Sequence, residues 1–439
     1  MNKKPLLIVL LVTVILSTVA ALSAPVRDNA AARAAAAIAP VDDAWRAQLP
    51  KDPEAATAAY MARLSSQAKA RSDAYFEGGY WLQLWGFLYG IGLAWLLLGT
   101  RASAAMRDFA ERATRVNALQ TMLYTAVYLL AAWVLSLPLT IYQGYFREHQ
   151  YGLANQTFAP WFGEQLTGLA LLVGIGSLIA SAIYHVIRRA PRTWWLWGSC
   201  LGIVFLIFGI LIAPIYIDPL FNTYKPLADG PIKQSILSMA RANGVPADNV
   251  YQFDASKQSN RISANVSGIF GSAAVRLNDN LLERTSLPEI KGVMGHELGH
   301  YVLNHVYKFI VAFGVIIVIG FAFVRWAMAW AIARWGARWD VRGCGDTAGM
   351  PLLVALFSVY LFVLTPITNS IIRIEEEEAD IFGLNASREG DGFAEVGLKL
   401  TEYRKADPGA VEEFLFYDHP SPKKRIHSAM RWKAEYLNY

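Results

Sequence analysis

Long apolar stretches recur along the 439-residue chain, and they constrain its fold more than any other feature. A helix that crosses about 30 Å of hydrocarbon needs about 20 apolar residues at about 1.5 Å of rise each. The sequence therefore predicts a mainly α-helical, multi-pass membrane protein with seven transmembrane helices. The predicted spans are residues 5–24, 80–99, 118–142, 166–187, 194–217, 309–333 and 350–372.

The composition agrees with this prediction, because 54% of the residues are hydrophobic and only 17% are charged. Such a chain is too apolar to be a soluble protein of this length. Residues 5–24 also match a second pattern, since Lys3 and Lys4 precede a short apolar run that ends in small residues, as in a cleaved secretory signal. The sequence leaves open whether this stretch is a retained span.

The connections between the predicted spans alternate in charge. Residues 101–116, 188–192 and 334–348 are short and rich in arginine, whereas the connection 143–165 has Arg147 as its single basic residue. Because cytoplasmic loops carry an excess of Lys and Arg, we expect a cell (inner) membrane protein whose larger polar segments lie on the non-cytoplasmic side. The net charge of +5 is then a matter of membrane topology, and no nucleic-acid partner is expected.

The stretch 292–300 carries the clearest chemical signal. His296 and His300 are four residues apart, so on a helix both imidazoles can face one cation, while Glu297 projects beside them toward a metal-bound water. Ser286 and Pro288 fit a helix start, and the helical pattern continues through His305. Zinc binds imidazole and keeps one coordination position for water, so the motif predicts one Zn²⁺ per chain in a hydrolase.

A third protein ligand is expected from the acidic run 375–378. Glu376 and Asp380 are four residues apart, so one can bind zinc while the other accepts a hydrogen bond from the far nitrogen of a ligand histidine. Spacing alone does not choose among the four glutamates. The remaining histidines His305 and His427 are expected to be structural or exposed.

Two polar segments, 218–306 and 373–439, are separated by two predicted spans, so they leave the membrane on the same side and can form a joint domain. In the first segment, residues 230–243 favour an amphipathic helix, and three runs with β-favouring residues follow at 250–253, 261–270 and 273–278. We therefore expect a small α+β, zincin-like protease domain. The edge of its sheet could hold an extended peptide.

The predicted organisation has four parts in chain order. They are an N-terminal membrane region at 1–217, a first protease segment at 218–306, two further spans at 307–372 and a second protease segment at 373–439. The N-terminal region contains five spans and, at 25–77, a helical extramembrane hairpin or linker.

Five motifs between residues 219 and 426 occur together in an order that is specific to one family. They are Pro219-Leu220-Phe221-Asn222, Ser263-Ala264-Asn265 before Phe270-Gly271, the run from His296 to His305, Glu376 with Ala379-Asp380, and His419-Pro420-Ser421 with Arg425-Ile426. In these motifs the chain resembles the CAAX prenyl endopeptidases, seven-span membrane zinc proteases, as a bacterial-type homologue.

The resemblance implies a role for each of the matching polar residues. It implies that Glu376 is the third zinc ligand beside His296 and His300, and that Asp380 supports the site. It also implies that Asn265 contacts the substrate, and that the membrane helices enclose a chamber. His419 is expected to stabilise the charge that develops on the scissile carbonyl oxygen, with Arg425 assisting or tying down the C-terminal segment.

The sequence thus predicts an integral membrane zinc metalloendopeptidase in which Glu297 takes a proton from water and passes it to the leaving amine. The expected partners are the lipid bilayer and a membrane-associated peptide or protein, of which C-terminally prenylated CAAX-type chains are one class. The oligomeric state stays open. One alternative is a non-enzymatic transporter or quality-control scaffold with a structural zinc. Another, a site-2-type intramembrane protease, is disfavoured because the motif lies outside the spans, beside Glu289 and Lys291.

Overall fold

The computed structural model describes residues 38–268 and 273–437. Helices dominate this part of the chain, and a small mixed sheet lies between the fourth and fifth long helices. The predicted span 5–24 lies outside the described residues, and so do residues 269–270 of the predicted strand 261–270 and the Phe270-Gly271 motif.

The helices and strands are numbered in chain order. They are α1 (Asp43–Ala47), α2 (Pro53–Met61), α3 (Ser66–Gly99), α4 (Ala102–Ala113), α5 (Asn117–Ile141), α6 (Phe158–Arg189), α7 (Trp194–Ile212), β1 (Tyr224–Pro226), α8 (Pro231–Ala242), β2 (Val250–Phe253), β3 (Ala264–Ser267), β4 (Ala274–Asn278), α9 (Asp279–Arg284), α10 (Leu287–Val302), α11 (His305–Trp339), α12 (Met350–Ser387), α13 (Gly390–Lys399), α14 (Ala410–Phe416) and α15 (Pro422–Tyr436).

Six helices in the described part are long and apolar enough to cross a membrane. Each contains one of the six predicted spans that fall within the described residues, so the prediction of a multi-pass helical protein is confirmed. The seventh predicted span is the one outside this part. The six segments are Ser66–Gly99, Asn117–Gln150, Phe158–Arg189, Trp194–Leu220, His305–Trp339 and Thr347–Ser387.

These six helices form a ring in which adjacent helices pack against each other, with a small additional contact between α3 and α11. The order around the ring is α3, α12, α11, α7, α6 and α5, and α5 closes on α3. Between 0% and 22% of the residues in the apolar window of each helix are buried, which is low for helices packed around a solid core. Most of each window is therefore exposed at the surface of the described structure, and the enclosed chamber stays a prediction.

The predicted helical extramembrane hairpin or linker at 25–77 is described from residue 38 onward, and this part contains α1, α2 and the start of α3. Residues 66–77 are the first turns of α3 itself, whose start is capped by the side chain of Ser65. Upstream, α2 packs on α15. The buried Tyr60 donates a hydrogen bond from its hydroxyl to Asp391 Oδ1 at 2.9 Å. This segment is therefore part of the packing of the soluble region, because its apolar side chains are buried there.

The last long helix also extends further than the predicted span 350–372. Helix α12 runs without interruption for 38 residues, with Pro366 inside it; membrane helices tolerate proline where neighbouring groups satisfy the freed backbone. Glu376 lies 26 residues after Met350, which corresponds to about 39 Å along the axis. The acidic run and the arginine-rich loop before Met350 therefore lie at opposite ends of the ring.

The four strands form one sheet in the order β1-β2-β4-β3. Strand β2 pairs parallel to β4, whereas β1 and β3 pair antiparallel to their neighbours. The three predicted strands are present, and β1 is an additional strand of three residues that ends in Pro226. Because β3 pairs with β4 alone, it is an edge of the sheet, and it packs on α10.

Helices α10 and α12 approach each other so closely that their backbones touch. A Cβ atom on Gly295 would lie 2.8 Å from Gly383 O, and a Cβ atom on Gly383 would lie 2.6 Å from His296 N. Both distances are shorter than a carbon atom tolerates, so neither position has room for a side chain. The contact brings the His296 motif and the Glu376 segment together across more than 70 residues of sequence.

We expect Gly383→Ala to lower stability by about 1–3 kcal/mol, because the added methyl must push α10 and α12 apart. Bound zinc should fall with it. The matched control is Gly174→Ala on α6, where a Cβ atom meets nothing within 4 Å. Thermal unfolding in detergent and metal analysis would measure both effects; equal stability of the two variants would contradict the close approach.

Candidate metal centre

Helix α10 places the two histidines of the motif on one face. It begins after Ser286, has Pro288 in its first turn and ends at Val302, so the predicted continuation through His305 is wrong. Asn304 adopts a left-handed conformation with φ 58°, which ends α10 and lets α11 start at His305 in a new direction. His296 is buried, whereas His300 is partly exposed at the end of the helix.

The side chains of His296, His300 and Glu376 converge on one point. His296 Nε2 lies 3.1 Å from His300 Nε2 and 3.2 Å from Glu376 Oε2, and His300 Nε2 lies 3.5 Å from Glu376 Oε1. A tetrahedral site with bonds of about 2.0–2.1 Å has ligand atoms about 3.3 Å apart. The three side chains thus have the spacing that one zinc-sized cation requires.

A cation at this point would also neutralise the negative charge of Glu376. Its Oε2 atom is buried and accepts no hydrogen bond from the described residues, and an unsatisfied buried carboxylate oxygen is costly. Of the four glutamates in the run, Glu376 is the one that joins the two histidines, whereas Glu378 faces His305 and Lys308. This distinction depends on the rotation of α12, which sequence spacing did not reveal.

A buried ion pair orients the imidazole of His296 from its Nδ1 side. Asp380 Oδ1 lies 2.7 Å from His296 Nδ1, and Arg425 Nε donates to Asp380 Oδ2 at 2.9 Å. Donation from Nδ1–H to a carboxylate leaves the Nε2 lone pair free for a metal. Arg425 comes from α15, so the C-terminal segment contributes to the arrangement of the metal-facing histidine.

Glu297 lies beside the metal group but is not part of it. It lines a cleft of about 240 Å³ together with Val293, His419 and Ala264. Burial raises the pKa of the Glu297 carboxyl to about 7, and a nearby divalent cation would favour the carboxylate again. A carboxyl group in this setting can both accept and release a proton near neutral pH.

His419 and the edge strand complete the walls of this cleft. His419 Nε2 lies 3.3 Å from Glu376 Oε2, and its Nδ1 lies 2.8 Å from Asp418 Oδ1. Residues 262–264 at the start of β3 line the same cleft. Asn265 is the next residue of β3 rather than a lining residue, and its Oδ1 atom is buried without a hydrogen-bond partner among the described residues.

Comparison with known proteins gives the family. A model described as peptidase family M48 matches residues 226–433, and a model of the CAAX prenyl protease N-terminal region, with five membrane helices, matches residues 49–223. A metalloprotease of Bacillus subtilis, YhfN, is 30% identical over 349 residues, which cover 78% of this chain and 82% of that protein. The chain belongs to peptidase family M48.

Two further relatives of this M48 peptidase agree with the assignment. CAAX prenyl protease 1 of Saccharomyces cerevisiae is 31% identical over 179 residues, 40% of each chain. The crystal structure of S. mikatae Ste24p superposes with a TM-score of 0.71 at 20% identity, covering 84% of this chain and 89% of that one. The predicted resemblance is thereby confirmed, and so is a mainly helical, multi-pass membrane fold with a small mixed sheet; the count of seven spans stays a prediction.

Membership of family M48 also decides between the predicted function classes. The chain is a multi-pass membrane metalloendopeptidase, which acts on peptide or protein substrates at a lipid bilayer. The alternative of a non-enzymatic transporter or scaffold is not supported. A metal is implied by the family, in agreement with the group formed by His296, His300 and Glu376.

Sequence reasoning missed the position of His305, which was expected to be structural or exposed. His305 is buried, and its Nδ1 lies 2.8 Å from His300 Nδ1. Its other nitrogen, Nε2, lies 3.2 Å from Glu378 Oε2. If His300 offers Nε2 to a metal, its Nδ1–H donates to His305, which then donates to Glu378. The recurrence of histidine five residues after His300 is the only sequence signal for this chain of hydrogen bonds.

We expect His305→Phe to weaken zinc binding about 10–100-fold, because it removes the acceptor that orients His300. His305→Gln, whose amide oxygen can accept the same hydrogen bond, should lose less. Zinc competition with a chelator would measure both affinities. The control is His427→Phe at a partly exposed position 3.4 Å from Glu54 and outside the metal group; if it weakens zinc binding as much as His305→Phe, the orienting role of His305 is wrong.

Proposed function

We propose that this M48 peptidase is a zinc metalloendopeptidase that hydrolyses peptide bonds of membrane-associated peptides at the end of the helix ring. The observation that carries the proposal is the convergence of His296, His300 and Glu376 at zinc-ligand spacing beside a carboxyl group that is not a ligand. A structural zinc site would need no such neighbour. The protease domain would then consist of residues 218–306 and 373–439, interrupted by two spans.

The three ligand side chains differ in what holds them. His296 is oriented by Asp380, which Arg425 in turn holds, and His300 is oriented by His305. Zinc bound there would polarise the scissile carbonyl and lower the pKa of a water to about 7. We assign the ligand role to His296, His300 and Glu376, and a positioning role to Asp380 and Arg425.

Glu297 and His419 are proposed as the residues that act on the reacting groups. Glu297 would take the proton of the attacking water and deliver it to the leaving amine, a task open to a carboxyl group that lines the cleft without being one of the metal-facing residues. His419 lines the same cleft as Glu297, with its Nε2 3.3 Å from Glu376 Oε2. It would donate a hydrogen bond to the carbonyl oxygen as negative charge develops, which is worth about 3–4 kcal/mol in comparable sites.

The edge strand β3 supports recognition of an extended peptide. Its free edge can add one more strand by main-chain hydrogen bonds, and residues 262–264 line the cleft that contains Glu297. Asn265, with its unsatisfied Oδ1 atom, is the proposed side-chain contact to the substrate. Several relatives are named CAAX prenyl proteases, so C-terminally prenylated peptides form one substrate class to test.

We expect Glu297→Gln to retain zinc and to abolish cleavage, because glutamine keeps the shape of the side chain but cannot accept the proton. The assay is chelator-sensitive cleavage of a peptide panel with and without a C-terminal prenylcysteine, with zinc measured in every preparation. His427→Gln, at a partly exposed position that does not line the cleft, is the control. Full cleavage by zinc-loaded Glu297→Gln would remove the general base from the mechanism.

The location and orientation of the enzyme are a separate proposal. The arginine-rich connections lie at the end of the ring opposite Glu376, and cytoplasmic loops are the ones rich in Lys and Arg. We therefore propose a cell (inner) membrane protein whose active site lies at the non-cytoplasmic face.

Membrane-impermeant thiol labelling tests this orientation. In a background without Cys200 and Cys344, Asp248→Cys in the exposed loop after α8 should react from the non-cytoplasmic side. Arg115→Cys, exposed at the arginine-rich end, should react only after the membrane is opened. The reverse pattern would place the active site in the cytoplasm.

A further inference from the structure

The end of the ring opposite the metal centre contains a second cavity. It has a volume of about 360 Å³ and lies between the end of α6, the corner between α4 and α5, and the loop before α12. Its polar lining includes Arg107, Arg188, Arg342, Asn117, Glu111 and Asp346. Because Met350 and Glu376 are about 39 Å apart along α12, this cavity belongs to a different site from the peptidase cleft.

The three segments that form this end, residues 101–117, 188–193 and 334–349, are referred to as the arginine end. Ten arginines occur there with four acidic residues and no lysine. Arginine binds phosphate through a planar fork of donors, whereas lysine offers a single point charge. The arginines are Arg101, Arg107, Arg112, Arg115, Arg188, Arg189, Arg192, Arg334, Arg338 and Arg342.

The acidic residues that line the cavity are already engaged. Arg107 Nη1 lies 2.8 Å from Asp346 Oδ2, and Arg342 donates to both carboxylate oxygens of Glu111 at 2.7 and 3.1 Å. These pairs hold the loop before α12 against α4. They leave no carboxylate in the cavity free to neutralise a further cation.

Arg188 is the cation that remains without a carboxylate. It donates to Gly345 O at 2.9 Å and to Thr121 Oγ1 at 3.0 Å, both neutral acceptors. Among the described residues, no carboxylate oxygen lies within 4.0 Å of its guanidinium, and its Nη2 atom donates no hydrogen bond. The side-chain amide of Asn117, which also lines the cavity, has no partner in the described part either. Two donor groups thus line the cavity, and the charge of Arg188, which also lies 5.6 Å from the centre of the Tyr184 ring, has no carboxylate at ion-pair distance.

The height of the cavity in the membrane indicates which anion would fill it. Arg188 is the second-last residue of α6, where the apolar span ends, so a bilayer around this span would have its phospholipid head groups at this level. Arg189 and Arg192 are exposed beside it. A lipid phosphate at this level is present at high local concentration, and anionic head groups add about 1 kcal/mol of attraction per nearby arginine.

We propose that this cavity binds the phosphate of an anionic phospholipid, with Arg188 and Asn117 as its principal donors. The phosphate of the bound head group would supply the negative charge that no carboxylate supplies within 4.0 Å of Arg188. It would also link α5, α6 and the loop before α12, which meet at the cavity and otherwise share few charged contacts around Arg188. The proposal is independent of the peptidase mechanism.

If anionic lipid were attracted only by the total positive charge of these loops, the single-residue variants would behave differently from those of a specific site. A diffuse basic rim attracts anionic lipid in proportion to its total charge, so any arginine of the rim would matter equally. A site in the cavity makes Arg188 matter much more than its exposed neighbour Arg189. Asn117→Asp offers a second variant that leaves Arg188 in place, and an acidic residue in the first turn of α5 favours the helix.

The experiment measures the rise in Tm of the full chain in phosphatidylcholine nanodiscs as phosphatidylglycerol is added. We expect the wild type and Arg189→Gln to show the rise, and Arg188→Gln and Asn117→Asp to bind phosphatidylglycerol about tenfold more weakly, as the loss of a charge-assisted hydrogen bond requires. If Arg188→Gln does not fold in phosphatidylcholine alone, the Asn117→Asp titration decides.

Two results would overturn the proposal. Equal weakening in Arg188→Gln, Arg189→Gln and Asn117→Asp would show a diffuse basic rim without a site. A rise in Tm with inorganic phosphate that matches the rise with phosphatidylglycerol would show a site for free phosphate rather than for a lipid.

Discussion

The contact between the backbones of α10 and α12 is the constraint on which the active site depends. One helix carries His296 and His300 and the other carries Glu376, and neither provides a metal site without the other. Gly295 and Gly383 allow the two backbones to touch within about two turns of these residues. The metal group is therefore a product of helix packing, and its ligand spacing is only as accurate as that packing.

The polar residues around the group form two separate supports. Behind His296 the support is a buried ion pair, Asp380 with Arg425, whose mutual attraction offsets the cost of removing both from water. Behind His300 it is a neutral imidazole, His305, that leads to Glu378 at the surface. The first support is contributed by the C-terminal segment, so that segment must be folded before His296 is fixed.

Much of this arrangement could be predicted because it depends on local periodicity. Apolar length identified the membrane helices, runs of β-favouring residues identified β2, β3 and β4, and a four-residue interval identified the faces of His296 and His300. The family resemblance pointed to Glu376, which spacing had left among four glutamates. Contacts between distant segments were different: the docking of Tyr60 on Asp391 and the return of His305 to His300 depend on tertiary geometry. Neither leaves a periodic signal in the sequence.

The unbroken length of α12 has a mechanical consequence. The helix reaches from the arginine end to Glu376, so any change in its inclination is magnified at the ligand: a rotation of about 5° over about 39 Å moves the carboxylate by about 3 Å. Metal ligands tolerate displacements of only about 0.2 Å. The neighbouring helices α3 and α11 must therefore hold α12 almost stationary, and a bilayer thick or thin enough to tilt it would alter catalysis without touching the cleft.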